Sequence, residues 1–211
     1  MKVKLVAHTI HFGEPNDYDA ESLIRLASRV CHGKENKKDT IEDCLHFIDK
    51  YVFGKEHLSL LEHFSFTFLI TGVSRVLTHQ LMRHRIATYH QKSQRYTNEN
   101  NFDYVTPPSI ALGDQNLKVL YDGTMEYLRG VYNKLREEGV PQEDARFVLP
   151  GATESTILCT WNLRSFHHIL KLRLHKSAQW EIRELLEAIV TCIRDEGIMT
   201  DHFLHKLGGN E

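Results

Sequence analysis

Cysteine is scarce in this chain and is never spaced for a metal or a bridge. Cys31, Cys44, Cys159 and Cys192 are the four present in 211 residues, with no CxxC pair among them, so neither a zinc knot nor a disulfide framework organises the fold. Scattered cysteines of this kind are expected as reduced, buried thiols of a cytoplasmic protein. Glycine-rich phosphate cradles are missing too: there is no GxxxxGK[ST] loop and no GxGxxG after a strand, which excludes the P-loop and Rossmann ways of holding a phosphate. No apolar run approaches the about 18 to 20 residues that span a bilayer. Met1-Lys2-Val3-Lys4 leads into a short alternating stretch rather than a signal peptide, and no membrane partner is expected. The formal net charge is only -2, so the chain lacks the broad basic surface of a nucleic-acid-binding protein. Its 14 histidines include no HExxH and no tight Cys/His set, and no metal is expected. With no Pro/Ser-rich linker, repeat or low-complexity run, residues 1–211 read as a single compact domain, and 41% hydrophobic content is enough to fill its core.

What is present stands out against that neutral background. Arg83, His84, Arg85, Lys92 and Arg95 crowd the stretch RHRIATYHQKSQRY. A local positive field in a nearly neutral chain points to a bound anion. The competing reading is a solvated basic helix end that complements the helix dipole. The approach to the cluster favours the anion. His63 to Gly72 (HFSFTFLITG) alternates like a strand, and Ser74 to Met82 (SRVLTHQLM) places Val76, Leu77, Leu81 and Met82 at near-helical spacing. A strand feeding a partly apolar helix aims three basic residues at one place. The following Ile86 to Arg95 holds Thr88, Tyr89, His90, Gln91, Ser93 and Gln94 and few core formers, which predicts a binding loop.

Helix predominates elsewhere. Val3 to Ile10 is expected as a strand, and Asp17 to Cys31 as a helix with Leu23, Ile24, Leu26, Ala27 and Val30 at helical spacing. Thr40 to Val52 repeats the pattern, Thr40 and Asp43 standing as a relative of the capping box. Thr106-Pro107-Pro108 breaks the chain before an amphipathic helix over Asn116 to Glu138, which Gly139 ends. Thr153 to Trp161 is rich in β-branched and apolar residues and suits a strand paired with 63–72. Asn162 to Leu174 and Ser177 to Arg194 read as two helices. Few strands separated by long helical stretches predict an α+β fold, helices packed with a small, mainly antiparallel sheet.

Arg83-His84-Arg85, seven residues, Ser93 and then Arg95-Tyr96 resemble the signature of the flavin-dependent thymidylate synthases. Other segments are similar to that family in the same order. Ser28-Arg29-Val30-Cys31 resembles its early Arg-Val element, and His57-Leu-Ser59-Leu-Leu-Glu62-His63 resembles its His-x-Ser/Thr-x-x-Glu-His stretch. Downstream, Pro141 to Pro150 with Glu143 and Arg146, Asn162-Leu-Arg164-Ser165, Leu172-Arg173 and Ser177 to Ile182 resemble further blocks. The resemblance implies conversion of dUMP to dTMP with FAD as cofactor, NADPH as reductant and methylenetetrahydrofolate as carbon donor. It also implies a cytoplasmic homotetramer whose active sites are shared between subunits.

Position by position, the resemblance implies that Arg83, His84 and Arg85 lie around the FAD diphosphate and flavin. Ser59, Asn162, Arg164 and His168 stand at further FAD-contacting positions, and His57 and Glu62 belong to the block that contacts flavin or folate. Gln80, Arg83, Gln91, Ser93, Arg95, Arg146 and Arg173 are implied around dUMP. With no glycine-rich loop, the diphosphate falls to guanidinium forks and hydroxyls. Read without the family, Arg146 and Arg173 are helix-surface ion pairs. Trp180, Ile182 and the Phe64, Phe66, Phe68 stripe read as core.

The catalytic candidates follow from what is absent. A synthase that attacks the pyrimidine with a thiolate needs a cysteine in an electropositive pocket, and none of the four lies in the basic stretch. Ser93 stands where a nucleophile would, but a hydroxyl needs an adjacent base; a binding or orienting role is assigned, with nucleophile as the alternative. Negative charge growing on the uracil ring calls for a fixed guanidinium, and Arg173 is the candidate. Thr88, His90, Gln91, His168 and Ser177 depart from the family's commoner Ser, Asn, Glu, Asn and His, Gln91 by removing a charge beside an anionic substrate. Two rivals remain, a nucleic-acid binder using the basic stretch with Tyr96, and a flavoprotein or nucleotide sensor without turnover.

Overall fold

A computed structural model describes residues 1–12 and 18–208. Strand β1, Lys2–His8, is followed by helix α1, Asp19–Val30, and by α2, Ile41–Phe47, which winds on as a π-helical turn over Ile48–Phe53. A 3-10 turn, Leu58–His63, leads into β2, Ser65–Ser74, then α3, Arg75–Leu81, and β3, Thr88–Gln91. Next come α4, Pro108–Ala111, the long α5, Gln115–Glu137, and α6, Gln142–Ala145, with a 3-10 turn at Arg146–Val148. The chain closes with β4, Glu154–Asn162, α7, Leu163–Arg173, α8, Trp180–Asp195, and α9, Asp201–Gly208.

The fold is α+β with one four-stranded sheet in the order β1-β2-β4-β3. Leu163 N–H donates to Phe64 C=O at 2.8 Å and Arg75 N–H to Thr153 C=O at 3.1 Å. Residue number therefore rises along β2 as it falls along β4, and the pair is antiparallel. The alternation that predicted β2 recurs as alternating burial along it, and β4, expected from its β-branched and apolar composition, alternates in burial too.

The chain divides into two compact units. One comprises Met1, Thr71–Met82 and His90–Ile157, the other Lys2–Ile70, Arg83–Tyr89 and the residues from Leu158 onward, so that β2, β3 and β4 each pass from one to the other. In the second unit Phe64, Phe66 and Phe68 are fully buried; Phe66 meets Phe166 edge-on at 5.8 Å, and Trp161 stacks on Phe166 at 6.1 Å. Ile182, Leu185, Leu186, Ile189 and Ile193 supply the buried stripe of α8, and Phe203, Leu204 and Leu207 that of α9. Asp39, its side chain 2% exposed, is held by Arg25 at 2.9 Å and Arg29 at 3.4 Å, which ties the loop after α1 to that helix. In the first unit Met125 and Tyr132 are the buried residues of α5, and the Tyr132 hydroxyl accepts the Glu99 N–H at 3.4 Å.

Several expectations are corrected in detail. The helix expected over 17–31 runs Asp19–Val30, and Asp17 lies outside the described residues. The capping box at Thr40 and Asp43 has both of its bonds, at 3.2 Å, but the expected continuous helix widens to π after Phe47. A Cβ on Gly54 would stand 2.7 Å from the Lys50 carbonyl, so the close of that turn requires glycine. Gly139 ends α5 at φ 86°, as its position predicted. The helix expected from Ser177 begins at Trp180, because the Gln179 side chain caps it by accepting from Glu181 and Ile182 N–H. The binding loop expected over Ile86 to Arg95 contains strand β3, whose pairing continues when Lys92 N–H donates to Thr156 C=O at 2.8 Å. An edge strand needs only alternation, and Tyr89 and Gln91 provide it by facing in while Thr88 and His90 face out. All four cysteines are free, but Cys31 is exposed rather than buried.

Candidate active site

Two chain joints in the second unit converge on one cavity. At the first, beyond α3 and its cap Met82, the chain turns through Arg83, His84, Arg85 and Ile86. At the second, β4 becomes α7 at Asn162, whose Oδ1 accepts the Ser165 N–H at 2.8 Å and caps the helix. From that cap Arg164, His168 and Lys171 follow at helical spacing and share a face, while Phe166, Ile169 and Leu170 are buried. The cavity is about 790 Å³ and includes Leu58, Glu62, Arg83, His84, Arg85, Ile86, Asn162, Arg164, His168 and Lys171 in its wall.

The electrostatics of this wall are one-sided. Arg83, Arg85, Arg164 and Lys171 stand against a single carboxylate, Glu62, which is ion-paired to Arg164. The His84 and His168 rings meet edge-on at 6.1 Å. The Arg173 Nε–H donates to His84 Nε2 at 3.1 Å, a geometry that requires an unprotonated acceptor nitrogen. Burial, then the Arg173 charge, then His168 push the His84 pKa down to about 4, so the ring is neutral at pH 7. An anionic, phosphate-bearing ligand suits this donor set and this volume. His57 and Ser59 are exposed and lie outside the wall; the His57 ring instead neighbours Tyr51 at 6.3 Å.

The first unit gathers most of the residues implied for the nucleotide. Glu143 draws two arginines together: its carboxylate accepts Arg95 Nε–H and Nη2–H at 3.1 and 2.9 Å, and its carbonyl accepts Arg146 Nε–H at 3.0 Å. The Gln91 amide donates to Thr78 Oγ1 at 2.8 Å and Ser155 Oγ at 2.9 Å, so β3 is pinned to α3 and β4. An amide donates there where a carboxylate would need protons from both hydroxyls. Ser93 Oγ accepts the Arg95 N–H at 3.3 Å, and no histidine or carboxylate is hydrogen-bonded to it among the described residues, so the base a nucleophile needs is missing from its contacts. Gln80 ends its turn of α3 half-buried. Arg173 belongs to the second unit.

Some site residues escaped sequence reasoning. Lys171 lines the cavity and was legible as the helical successor of Arg164 and His168. Arg75 was not legible as a neighbour of Arg146: burial and then the Arg146 charge lower its pKa while Glu99 raises it, and both neighbours are remote in sequence. Among the described residues no group of three His, Cys, Asp or Glu side chains is arranged to hold a metal, and no helix is long and apolar enough to cross a membrane.

Fold and cavity thus define an α+β protein with a cationic cavity suited to an anionic ligand. Residues 4–196 match the profile of the thymidylate synthase complementing protein family, and the chain belongs to that family, the flavin-dependent thymidylate synthases. A flavin-dependent thymidylate synthase from Geobacter sulfurreducens is 39% identical over 201 residues, covering 92% of this chain and 82% of that protein. Its counterpart from Pyrococcus abyssi is 49% identical over 138 residues, covering 64% of this chain and 56% of its own length. Thymidylate synthase X from Helicobacter pylori, solved with FAD and dUMP, has the same fold, with a TM-score of 0.76 over 100% of both chains at 21% identity.

Proposed function

We propose that this chain methylates dUMP to dTMP as a flavin-dependent thymidylate synthase, with methylenetetrahydrofolate as carbon donor and NADPH as reductant through FAD. The observation that carries this reading is the cavity between the Arg83–Arg85 turn and α7, where four cations face one carboxylate. FAD, held there and reduced by NADPH, would relay the two electrons that take the one-carbon unit from methylene to methyl. Arg83, Arg85, Arg164 and Lys171 hold its diphosphate, with Asn162 and the His84 and His168 rings lining the remainder. Glu62 keeps Arg164 in place, and His57 and Ser59 serve the flavin or folate from the neighbouring turn.

Arg95 and Arg146, spaced by Glu143, take the phosphate of dUMP, and Gln80, Gln91 and Arg83 border the nucleotide. Ser93 orients the substrate. Arg173 stabilises the negative charge that develops on the uracil ring, the kind of preorganised donor that contributes most in the transition state. The chain acts as a single cytoplasmic domain and as a homotetramer with shared sites. Nucleic acid and membrane are not partners; a net charge of -2 disfavours the former.

The test is the visible absorption spectrum of the protein loaded with FAD, before and after dUMP, followed by an assay of dTMP formation. Flavin bands that shift on adding dUMP, together with dTMP produced only when folate and NADPH are present, are expected. A protein that retains no FAD but binds DNA or RNA in a salt-sensitive manner would overturn the reading. FAD and dUMP bound with no turnover would leave a sensor in place of an enzyme.

A further inference from the structure

The Arg83–Arg85 turn is tied to the sheet by a hydrogen-bonded chain that reaches Arg173. Trp161, 1% exposed in the middle of the core, donates its indole N–H to the Tyr89 hydroxyl at 3.0 Å. Tyr89 donates its O–H to the His84 carbonyl at 3.0 Å. His84, one side-chain length further on, accepts the Arg173 Nε–H at 3.1 Å. Arg83 and Arg85, on either side of His84, are exposed. We propose that Tyr89 is a positioning residue, a strut from the Trp161 core to the His84 carbonyl that sets the imidazole where it holds the Arg173 guanidinium.

Three features of the chain support the strut. Tyr89 lies on β3, whose backbone is anchored in the sheet, so the hydroxyl's position is fixed by an element rather than a loop. Burial pushes the Tyr89 pKa up to about 12, which keeps the proton it must donate. The second hydrogen bond of the guanidinium's neighbour is equally constrained: a neutral imidazole offers one acceptor nitrogen, and Arg173 occupies it. Holding Arg173 by Nε leaves its two Nη groups to point elsewhere, the fork that would meet a planar, electron-rich ring. Displacement of a catalytic group by about 1 Å is enough to lower a rate 100-fold.

The assignment of Arg173 to the uracil ring rests on the proposed function; the strut itself does not. Tyr89→Phe removes the hydroxyl and keeps the ring. In the ¹⁵N-labelled protein without ligands, the Trp161 indole N–H and the Arg173 Nε–H should be protected from exchange, and Tyr89→Phe should lose both protections while its circular dichroism is unchanged. In the FAD-loaded enzyme the same variant should lose at least tenfold in kcat with less than threefold change in KM for dUMP. Because Tyr89→Phe could fold poorly, His84→Leu gives a second route: it keeps the Tyr89 bond to the backbone and should lose only the Arg173 protection, with a similar fall in kcat. Arg173 Nε–H protection retained in either folded variant, or kcat retained in Tyr89→Phe, overturns the proposal. If wild type shows both protections yet forms no dTMP, the functional reading fails and the strut stands.

Discussion

His84 is placed where burial, the Arg173 guanidinium and His168 all disfavour its cation, and its pKa falls to about 4. Its unfolded counterpart titrates near about 6.5. A proton taken up by the unfolded chain and refused by the folded one destabilises the fold as pH drops through that window. His167, buried and hydrogen-bonded through Nδ1 to the Leu207 carbonyl at 2.7 Å, is lowered too, by burial first, and acts in the same sense. Urea midpoints should therefore decline between pH 7 and pH 5, and His84→Gln should decline less steeply; equal slopes would show that the imidazole titrates alike in the folded and unfolded chain. At this scale the sequence exposed residue types but few partners. Arg146 was legible as a helix-surface ion pair or a nucleotide contact, and the structure gives its Nε–H to a backbone carbonyl beside the carboxylate that holds Arg95.

Elements were the most legible level, because a period of two or of 3.6 survives in the sequence whatever the tertiary context. The Phe64, Phe66, Phe68 alternation became β2, and the Thr40-Asp43 pair became a complete capping box. Removing that cap isolates its worth: Thr40→Ala should cost about 1 kcal/mol of stability, read as a lower urea midpoint at unchanged slope. No change at all would mean that the start of α2 is held by tertiary contacts alone. Short elements escaped for the converse reason. The 3-10 turn Leu58–His63 and the four-residue helices α4 and α6 are too brief to show a period, and α9 is set by burial of Phe203, Leu204 and Leu207 rather than by length. β3 escaped because its four residues gain strand structure from pairing with β4, a contact the local composition does not encode.

At the scale of the whole molecule, the proposed homotetramer is open to direct measurement. Light scattering of the FAD-loaded protein should give a mass of four chains, and full dTMP-forming activity in a particle of one chain's mass would refute shared active sites. Charge supports the same level of organisation, since a chain of net charge -2 meets little long-range repulsion on associating. The sequence by itself determined the α+β class, the long helices and the basic stretch, all properties of neighbouring residues. It also determined the family, because ordered blocks of residues persist without reference to shape. Only the tertiary structure decided that Asn162, Arg164 and Lys171 share a cavity with the Arg83–Arg85 turn. It alone decided that Arg173 is held by His84 across 89 positions of chain. Such pairs are joined by burial and sheet pairing between distant segments, and no local periodicity records which distant segment arrives.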